Sequence, residues 1–326
     1  MTTSSNAWPK DQKPINPFAG TAPLTVLVTG ATGFIGKAVT LLMLEAGYEV
    51  TALTRNPQKA SSLFGGRTRN VRDLDELADH ENIDAVINLA GAPVVGPRWS
   101  DARKKVLLDS RVGTTHHVLA WLARTQHKPG VWVQASAVGA YGVRPSHEAL
   151  DEDSATGQGF MSELCLAWEA AAQAATEFGV RQVVLRLGLV FGQGGALPMM
   201  LLPYRFALGA RLGDGSQMMS WIHHDDVIRI IALAMKDTSL HGIYNAVAPD
   251  TVSQAAFAAQ AARAAGRPLW LSVPAAPLRL LAGEMGQLFL DGQRVVPTRL
   301  LQAGYTFKHP VLTPVLIEAT GGQRNR

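Results

Sequence analysis

An α/β fold is what this sequence predicts: a doubly wound parallel sheet with a second, smaller domain interleaved toward the C-terminal end. Three observations carry it. A β-branched run, Thr25–Thr29, ends in glycines at G-x-x-G-x-x-G spacing (Gly30, Gly33, Gly36) and leads into an amphipathic run. Strand-like runs then alternate with helical ones to about residue 192, the pattern of a parallel sheet covered on both faces. Beyond that point the segments shorten and prolines accumulate (Pro198, Pro203, Pro249, Pro268, Pro274, Pro277, Pro297), which marks the second lobe.

Taken in order, residues 1–23 are polar, carry Pro9, Pro14, Pro17 and Pro23, and read as a flexible leader. They lack the charged start and apolar stretch of a secretory signal. Residues 37–45 form the first helix, apolar at Ala38, Val39, Leu41, Leu42 and Leu44. Residues 48–53 are the second strand and 67–71 the third. Residues 73–80 read as a short helix with an acidic first turn. Residues 85–91 are a buried strand ending at glycine. Ser100 caps a long helix over 101–125, with Val106, Leu107, Val112, Val118, Leu119 and Leu122 at helical spacing. Residues 131–136 are a strand, 160–178 an alanine-rich helix closed by Gly179, 183–187 a strand and 188–195 a glycine-rich turn. Residues 244–247 return to the sheet as its last strand. The chain therefore divides into a sheet domain of 24–190 plus about 223–250, and a small cleft-covering domain of about 191–222 plus 251–320. The tail from Gly321 reads as disordered.

Bulk properties narrow the function. The 326 residues are 47% hydrophobic and 17% charged, enough for a large core. The net charge is +4 and the pI about 9.3, but the basic residues are scattered. No basic stripe is interleaved with aromatics, which argues against nucleic acid. A mild basic excess suits an anionic cofactor or an ordinary solvated surface equally. No apolar run reaches the roughly 18 residues that span a membrane. The single cysteine, Cys165, cannot form an internal disulfide, so a reducing, cytoplasmic setting is expected. The expected partner is a small molecule, with no nucleic acid and no membrane, and the expected state a monomer or homodimer.

Strand, glycine turn and helix together make an anion site. Gly30 allows the sharp turn, Gly33 the approach of a pyrophosphate, and Gly36 the close packing of helix on strand, as in a Rossmann dinucleotide site. At the end of the second strand an acid would bind the ribose 2′-OH of NAD. No acid lies between Val50 and Leu63, whereas Arg55 offers a bidentate phosphate donor with Lys59 one turn later. NADP(H) is therefore the expected cofactor.

The run Thr29-Gly30-Ala31-Thr32-Gly33-Phe34-Ile35-Gly36 resembles the extended, epimerase-like branch of the short-chain dehydrogenase/reductases, the NAD-dependent epimerase/dehydratase family. The resemblance extends from Leu24 to about Leu316. It implies cofactor contacts at Gly30, Thr32, Gly33, Phe34, Ile35, Gly36, Arg55 and Ser136. Leu89-Ala90-Gly91 resembles the motif beside adenine and ribose, and Leu187, Gly188 and Val190 the turn beside the nicotinamide. Active members use a Tyr acid/base with a Lys four residues later, which lowers the Tyr pKa, plus a Ser or Thr and an Asn. With Glu169 as register, Tyr falls on Met161 and Lys on Cys165. The Ser/Thr position falls on Ala137, one after Ser136, and the Asn position on Ser110. The usual set is absent. That departure, with Ser110-Arg111, Trp168-Glu169-Ala170-Ala171, Ser220-Trp221-Ile222-His223, Asp226 and the run from Gly283 to Phe307, is similar to an atypical subfamily whose C-terminal domain has no assigned function.

Replacement catalytic groups are sought at Ser136, Tyr141, Glu163 and His224. Tyr141 can equally be loop packing, and Glu163 a solvated helix face. No metal is expected, because His223 and His224 have no third ligand at fixed spacing. Asp226 is expected to cap the following helix. Arg111 and Arg186 are either substrate-anion contacts or structural arginines. Cys165 has no evident cationic neighbour and reads as inert. The function expected is an NADP(H)-binding oxidoreductase or nucleotide-sugar-epimerase-like enzyme on a small polar substrate. The alternative is a catalytically inert redox sensor or scaffold.

Overall fold

A computed structural model describes residues 15–20 and 22–321. Seven parallel strands form the central sheet: β1 (Thr25–Thr29), β2 (Glu49–Leu53), β3 (Arg69–Val71), β4 (Ala85–Asn88), β5 (Val131–Ala137), β6 (Arg181–Leu187) and β7 (Gly242–Ala246). Their spatial order is β7-β6-β5-β4-β1-β2-β3. The order reverses between β1 and β4, and at such a switch point the strand ends open a ligand crevice.

Side chains alternate across the strands with period two, so each face of the sheet has its own core. Val26 and Val28 pack with Ile87, Val133 and Val183 toward α1 (Phe34–Glu45) and α7 (His224–Lys236). Leu27, Val86 and Trp132 face the other way, onto Val118, Trp121 and Leu122 of α4 (Thr114–Arg124). Chain ordering reaches into the segment expected to be a loose leader: Phe18 is fully buried, and the Asn16 side-chain amide donates to the Leu42 carbonyl at 2.7 Å. The rest of that leader before residue 15, and the tail beyond 321, lie outside the described residues.

Several elements differ from the sequence reading. The expected helix over 73–80 shrinks to a 3-10 turn, Leu74–Glu76, held by an Asp73–Glu76 capping box. The long helix over 101–125 is split into α3 (Asp101–Leu108) and α4 by a π-turn, Asp109–Gly113. A π-turn adds a residue to one turn, which rotates everything after it. The helix over 160–178 is α-helical as α5 (Phe160–Gln173) and then 3-10, ending at Gly179 with φ of 76°. Within the glycine-rich turn, Leu189–Phe191 forms a short strand paired with Trp221–His223.

A second apolar cluster joins Phe191, Leu197, Leu201, Tyr204 and Trp221 to Phe257, Leu312 and Leu316. Its elements include α6 (Leu197–Arg205), α8 (Gln254–Ala264) and the C-terminal helix Leu312–Thr320. Two-residue and three-residue strand pairs fasten this region, among them Ala210–Leu212 with Leu271–Val273.

Candidate functional site

The glycine turn has no space for side chains. Gly30 has φ of 69°, and a Cβ there would lie 2.7 Å from the Leu89 carbonyl oxygen. A Cβ on Gly36 would collide with the Gly30 carbonyl, so α1 lies directly on the turn. Gly33 is the N-cap of α1; no side chain caps that end, and its first turn holds no acid. The helix N-terminus, whose first N–H groups have no intrahelical partner, opens at the exposed Gly33 and is suited to an anion.

The neighbouring strand end is fixed by buried hydrogen bonds. Thr29 Oγ1 donates to Asn88 Oδ1 and accepts from the Leu89 and Ala90 amides, both at 3.1 Å. Asn88 in turn donates to Thr115 Oγ1 and Gln134 Oε1. This network sets Leu89-Ala90-Gly91 beside the turn. Gly188 is equally confined: a Cβ would lie 2.6 Å from the Ser220 carbonyl oxygen. Arg55 stands exposed just after β2, and Asn56 beside it caps α2 (Pro57–Phe64) by accepting from Lys59 N at 2.9 Å.

Of the candidate catalytic residues, Ser136 and Tyr141 adjoin the same Arg186–Glu169 pair. His224 is at the glycine turn and not over the far end of the crevice. Its ring stacks on Phe34 at 4.3 Å, and its Nε2 donates to the Phe34 carbonyl at 3.2 Å. The carbonyl can only accept, so Nε2 carries the proton. Ser136 is buried, and its hydroxyl donates to Glu169 Oε1 at 2.6 Å. Tyr141 is wholly buried, and its hydroxyl donates to Asn245 Oδ1 at 2.8 Å. Burial pushes the Tyr141 phenol above its ordinary pKa despite the nearby Arg186. Glu163 is exposed in the first turn of α5, a favourable place for a carboxylate.

Both arginines left open by the sequence are engaged with the protein. Arg186 forms two bonds with Glu169, Nε to Oε1 at 2.9 Å and Nη2 to Oε2 at 2.8 Å, and lies 4.8 Å above the Tyr141 ring. Arg111 donates to the Leu107 and Ala92 carbonyls and lies 5.2 Å from the Trp168 ring. Glu169, the buried partner of both Ser136 and Arg186, is the group that the sequence reading used only as a landmark. A charged residue four positions after Cys165 on a helix otherwise apolar there was the available signal.

Met161 and Cys165, at the positions of the expected Tyr and Lys, are packed groups. Met161 and Phe160 border an apolar cluster of Trp99, Leu107, Leu164 and Met285. Cys165 is buried, and burial with Glu169 nearby pushes its thiol up to about 11, although Arg111, a cationic neighbour that the sequence did not reveal, acts in the other direction.

Asp226 does not cap α7. The helix begins at His224, and His223 caps it by accepting from Asp225 N at Nδ1. Asp226 is buried inside the first turn and accepts from Tyr305 OH (2.8 Å), Lys308 N (2.7 Å) and His309 N (2.9 Å). The third group that the sequence did not offer is His309. Candidate ligand atoms of His223, Asp225 and His309 lie within 4.8 Å of one another. Lys308 Nζ already pairs with Asp225 at 2.5 Å, so the carboxylate has a cation of its own. Burial, reinforced by His309, pushes His223 down to about 4.

Residues 26–246 match the NAD dependent epimerase/dehydratase family, and residues 273–319 match a domain of unknown function, DUF1731. The chain is 39% identical over 299 residues to the epimerase family protein SDR39U1 of Mus musculus, covering 90% of this chain and 98% of that one. It is 36% identical over 291 residues to the epimerase family protein YfhF of Bacillus subtilis, covering 88% and 94%. The crystal structure of human SDR39U1 (isoform 2) with NADPH superposes with a TM-score of 0.82 at 34% identity, covering 91% of this chain and 99% of that one.

Proposed function

The chain belongs to the NAD-dependent epimerase/dehydratase family, and from that premise we propose that it is an NADP(H)-binding oxidoreductase working without the usual Tyr–Lys pair. The observation that carries the cofactor reading is the uncapped N-terminus of α1 behind Gly30, Gly33 and Gly36, with Arg55 and no acid at the end of β2. The NADPH in the human relative's structure supports the same reading.

In this reading Thr32, Gly33, Phe34 and Ile35 present backbone to the pyrophosphate, and Arg55 pairs with the 2′-phosphate. Leu89, Ala90 and Gly91 border the adenosine, while Ser136, Leu187, Gly188 and Val190 border the nicotinamide. The cofactor supplies hydride chemistry when bound. The protein's own part is to bind, orient and exclude water: Phe34, clamped under His224, steadies the turn, and the Met161 cluster keeps the far end dry. The division into a dinucleotide domain (24–190 and about 223–250) and a covering domain (about 191–222 and 251–320) belongs to the proposal. The second apolar cluster, drawn from both parts of that covering domain, supports it. No helix among the described residues is long and apolar enough to cross a membrane.

A second reading, an inert NADP(H) binder that reports redox state, is favoured by one observation. The two positions that should move a proton are a thioether and a buried thiol. The test is identification by mass spectrometry of dinucleotide released from the purified protein, with titration of the emptied protein by NADPH followed through cofactor fluorescence. Binding without oxidation in the presence of varied carbonyl compounds selects the second reading. Absence of binding overturns both.

A further inference from the structure

The segment that follows β4 borders the crevice in which a sheet of this order takes its ligand. Two guanidinium groups grip it at consecutive carbonyls. Arg111 Nη2 donates to the Ala92 carbonyl at 3.1 Å, and Arg103 Nη2 donates to the Pro93 carbonyl. Arg111 stands in the π-turn Asp109–Gly113, a break in helical register of a kind that recurs at functional sites. Its guanidinium lies against the exposed Gly91, where a Cβ would stand 2.9 Å from Cζ and 3.0 Å from Nη2. A second bond, Nη1 to the Leu107 carbonyl at 3.1 Å, and the Trp168 ring at 5.2 Å complete its support.

These contacts orient the group and leave its charge uncompensated, since a carbonyl is a dipole and not a counter-ion. The two bonds leave Nε–H and one hydrogen on each terminal nitrogen without a protein acceptor. Arg103 is in a similar condition: its Nε is buried and has no partner. The neighbouring lysines are neutralised, Lys104 by Glu284 at 2.5 Å and Lys105 by Asp109 at 2.7 Å, and the buried Arg186 has Glu169. Among the described residues neither Arg103 nor Arg111 has a carboxylate within ion-pair reach. Burial presses the Arg111 guanidinium below its ordinary pKa; Cys165 opposes this, and the charge of Arg103 adds to it. Two half-buried like charges on one loop, with no acid between them, are costly to hold.

An oxyanion relieves that cost. Carboxylate and phosphate groups both present paired oxygens that match the guanidinium fork. We propose that Arg111, supported by Arg103, anchors a carboxylate or phosphate group of the second ligand, the one that enters the crevice beside the dinucleotide. The inference rests on the cofactor reading above for the location of the crevice, and it narrows the small polar substrate expected from sequence to an anionic one.

The test uses the full chain saturated with NADP+. Inorganic phosphate and succinate are titrated in turn by calorimetry, with ionic strength held constant by sodium chloride. The expected result is saturable one-site binding of at least one of them, weakened about tenfold or more by Arg111→Gln, since a charge-assisted bond is lost. Arg103→Gln lowers the affinity by an independent route, should the first variant fold poorly. Lys105→Gln, which removes a 74%-exposed charge from the same helix as Arg103, leaves binding unchanged. NADP+ binds the wild type and Arg111→Gln equally. Binding of phosphate alone assigns a phosphorylated ligand, and binding of succinate alone a carboxylic acid. The proposal is overturned if neither anion binds, if both arginine variants bind them normally, or if Lys105→Gln loses as much. It is overturned equally if Arg111→Gln weakens NADP+ as strongly as the anions, which would assign the guanidinium to the dinucleotide. If NADP+ fails to bind, the cofactor reading falls, and the same titrations of the cofactor-free wild type and variants still decide this one.

Discussion

Ser136 donates its hydroxyl to Glu169 at 2.6 Å, and the same carboxylate holds both nitrogens of the Arg186 fork. The side chains are almost fully buried, at 3% exposure for Arg186 and 10% for Glu169. A serine at the end of β5 is thereby made part of a buried ion pair and removed from the role of substrate donor.

The pair predicts unequal losses. Glu169→Leu strands a buried guanidinium, and breaking one half of such a pair costs about 3–5 kcal/mol. Ser136→Ala removes one hydrogen bond to a charge, worth about 1.5–3 kcal/mol. Urea melts of the two variants check the order. Equal small losses would mean that the network does not hold the strand end.

Cys165 is expected to be silent. Its thiol is pushed up to about 11, so almost none is thiolate at pH 8. Iodoacetamide should label the native chain far more slowly than the urea-unfolded one, and Cys165→Ala should keep cofactor binding. The linkage sign follows. The folded thiol stays neutral where the unfolded one ionises, so stability falls as pH rises from about 9 and levels off above about 11. Rapid native labelling at pH 8 would contradict the packing described.

Asp226 and the C-terminal segment should stand or fall together. The buried carboxylate takes three donors from residues 305–309, and Leu312, Val315 and Leu316 complete the second cluster. A chain ending at Gly283 should lose cooperative melting, since each large apolar side chain buried contributes about 1.5–3 kcal/mol and a whole domain is stable by only about 5–15. Asp226→Ala should lower the melting temperature and keep the fold. A soluble, cooperatively melting truncation would make the segment an accessory.

What the sequence made legible was what neighbours in the chain decide. Gly30 and Gly36 are dictated by a turn of seven residues, and the alternation of Val26, Leu27 and Val28 by the strand itself. The failures are tertiary. His224 stacks on a phenylalanine 190 residues away, and Asp226 reads as a cap in the sequence because its true donors lie some 80 residues downstream. The π-turn at Asp109–Gly113 was invisible because one added residue leaves the apolar spacing on either side intact. That Met161 is a thioether and Cys165 a lone thiol is legible in the sequence. That they join a wall with Trp99 and Met285 required the fold.

The proposed cofactor choice depends on Arg55 and the glycine turn selecting a phosphorylated dinucleotide. Calorimetric titration of the wild type and of Arg55→Ala with NADP+ and with NAD+ tests it most directly. The wild type should prefer NADP+ by roughly ten- to hundredfold, the worth of one charge-assisted hydrogen bond of about 1.5–3 kcal/mol. Arg55→Ala should lose that preference with NAD+ affinity unchanged. Equal wild-type affinities, or a preference that survives the loss of Arg55, would contradict the account.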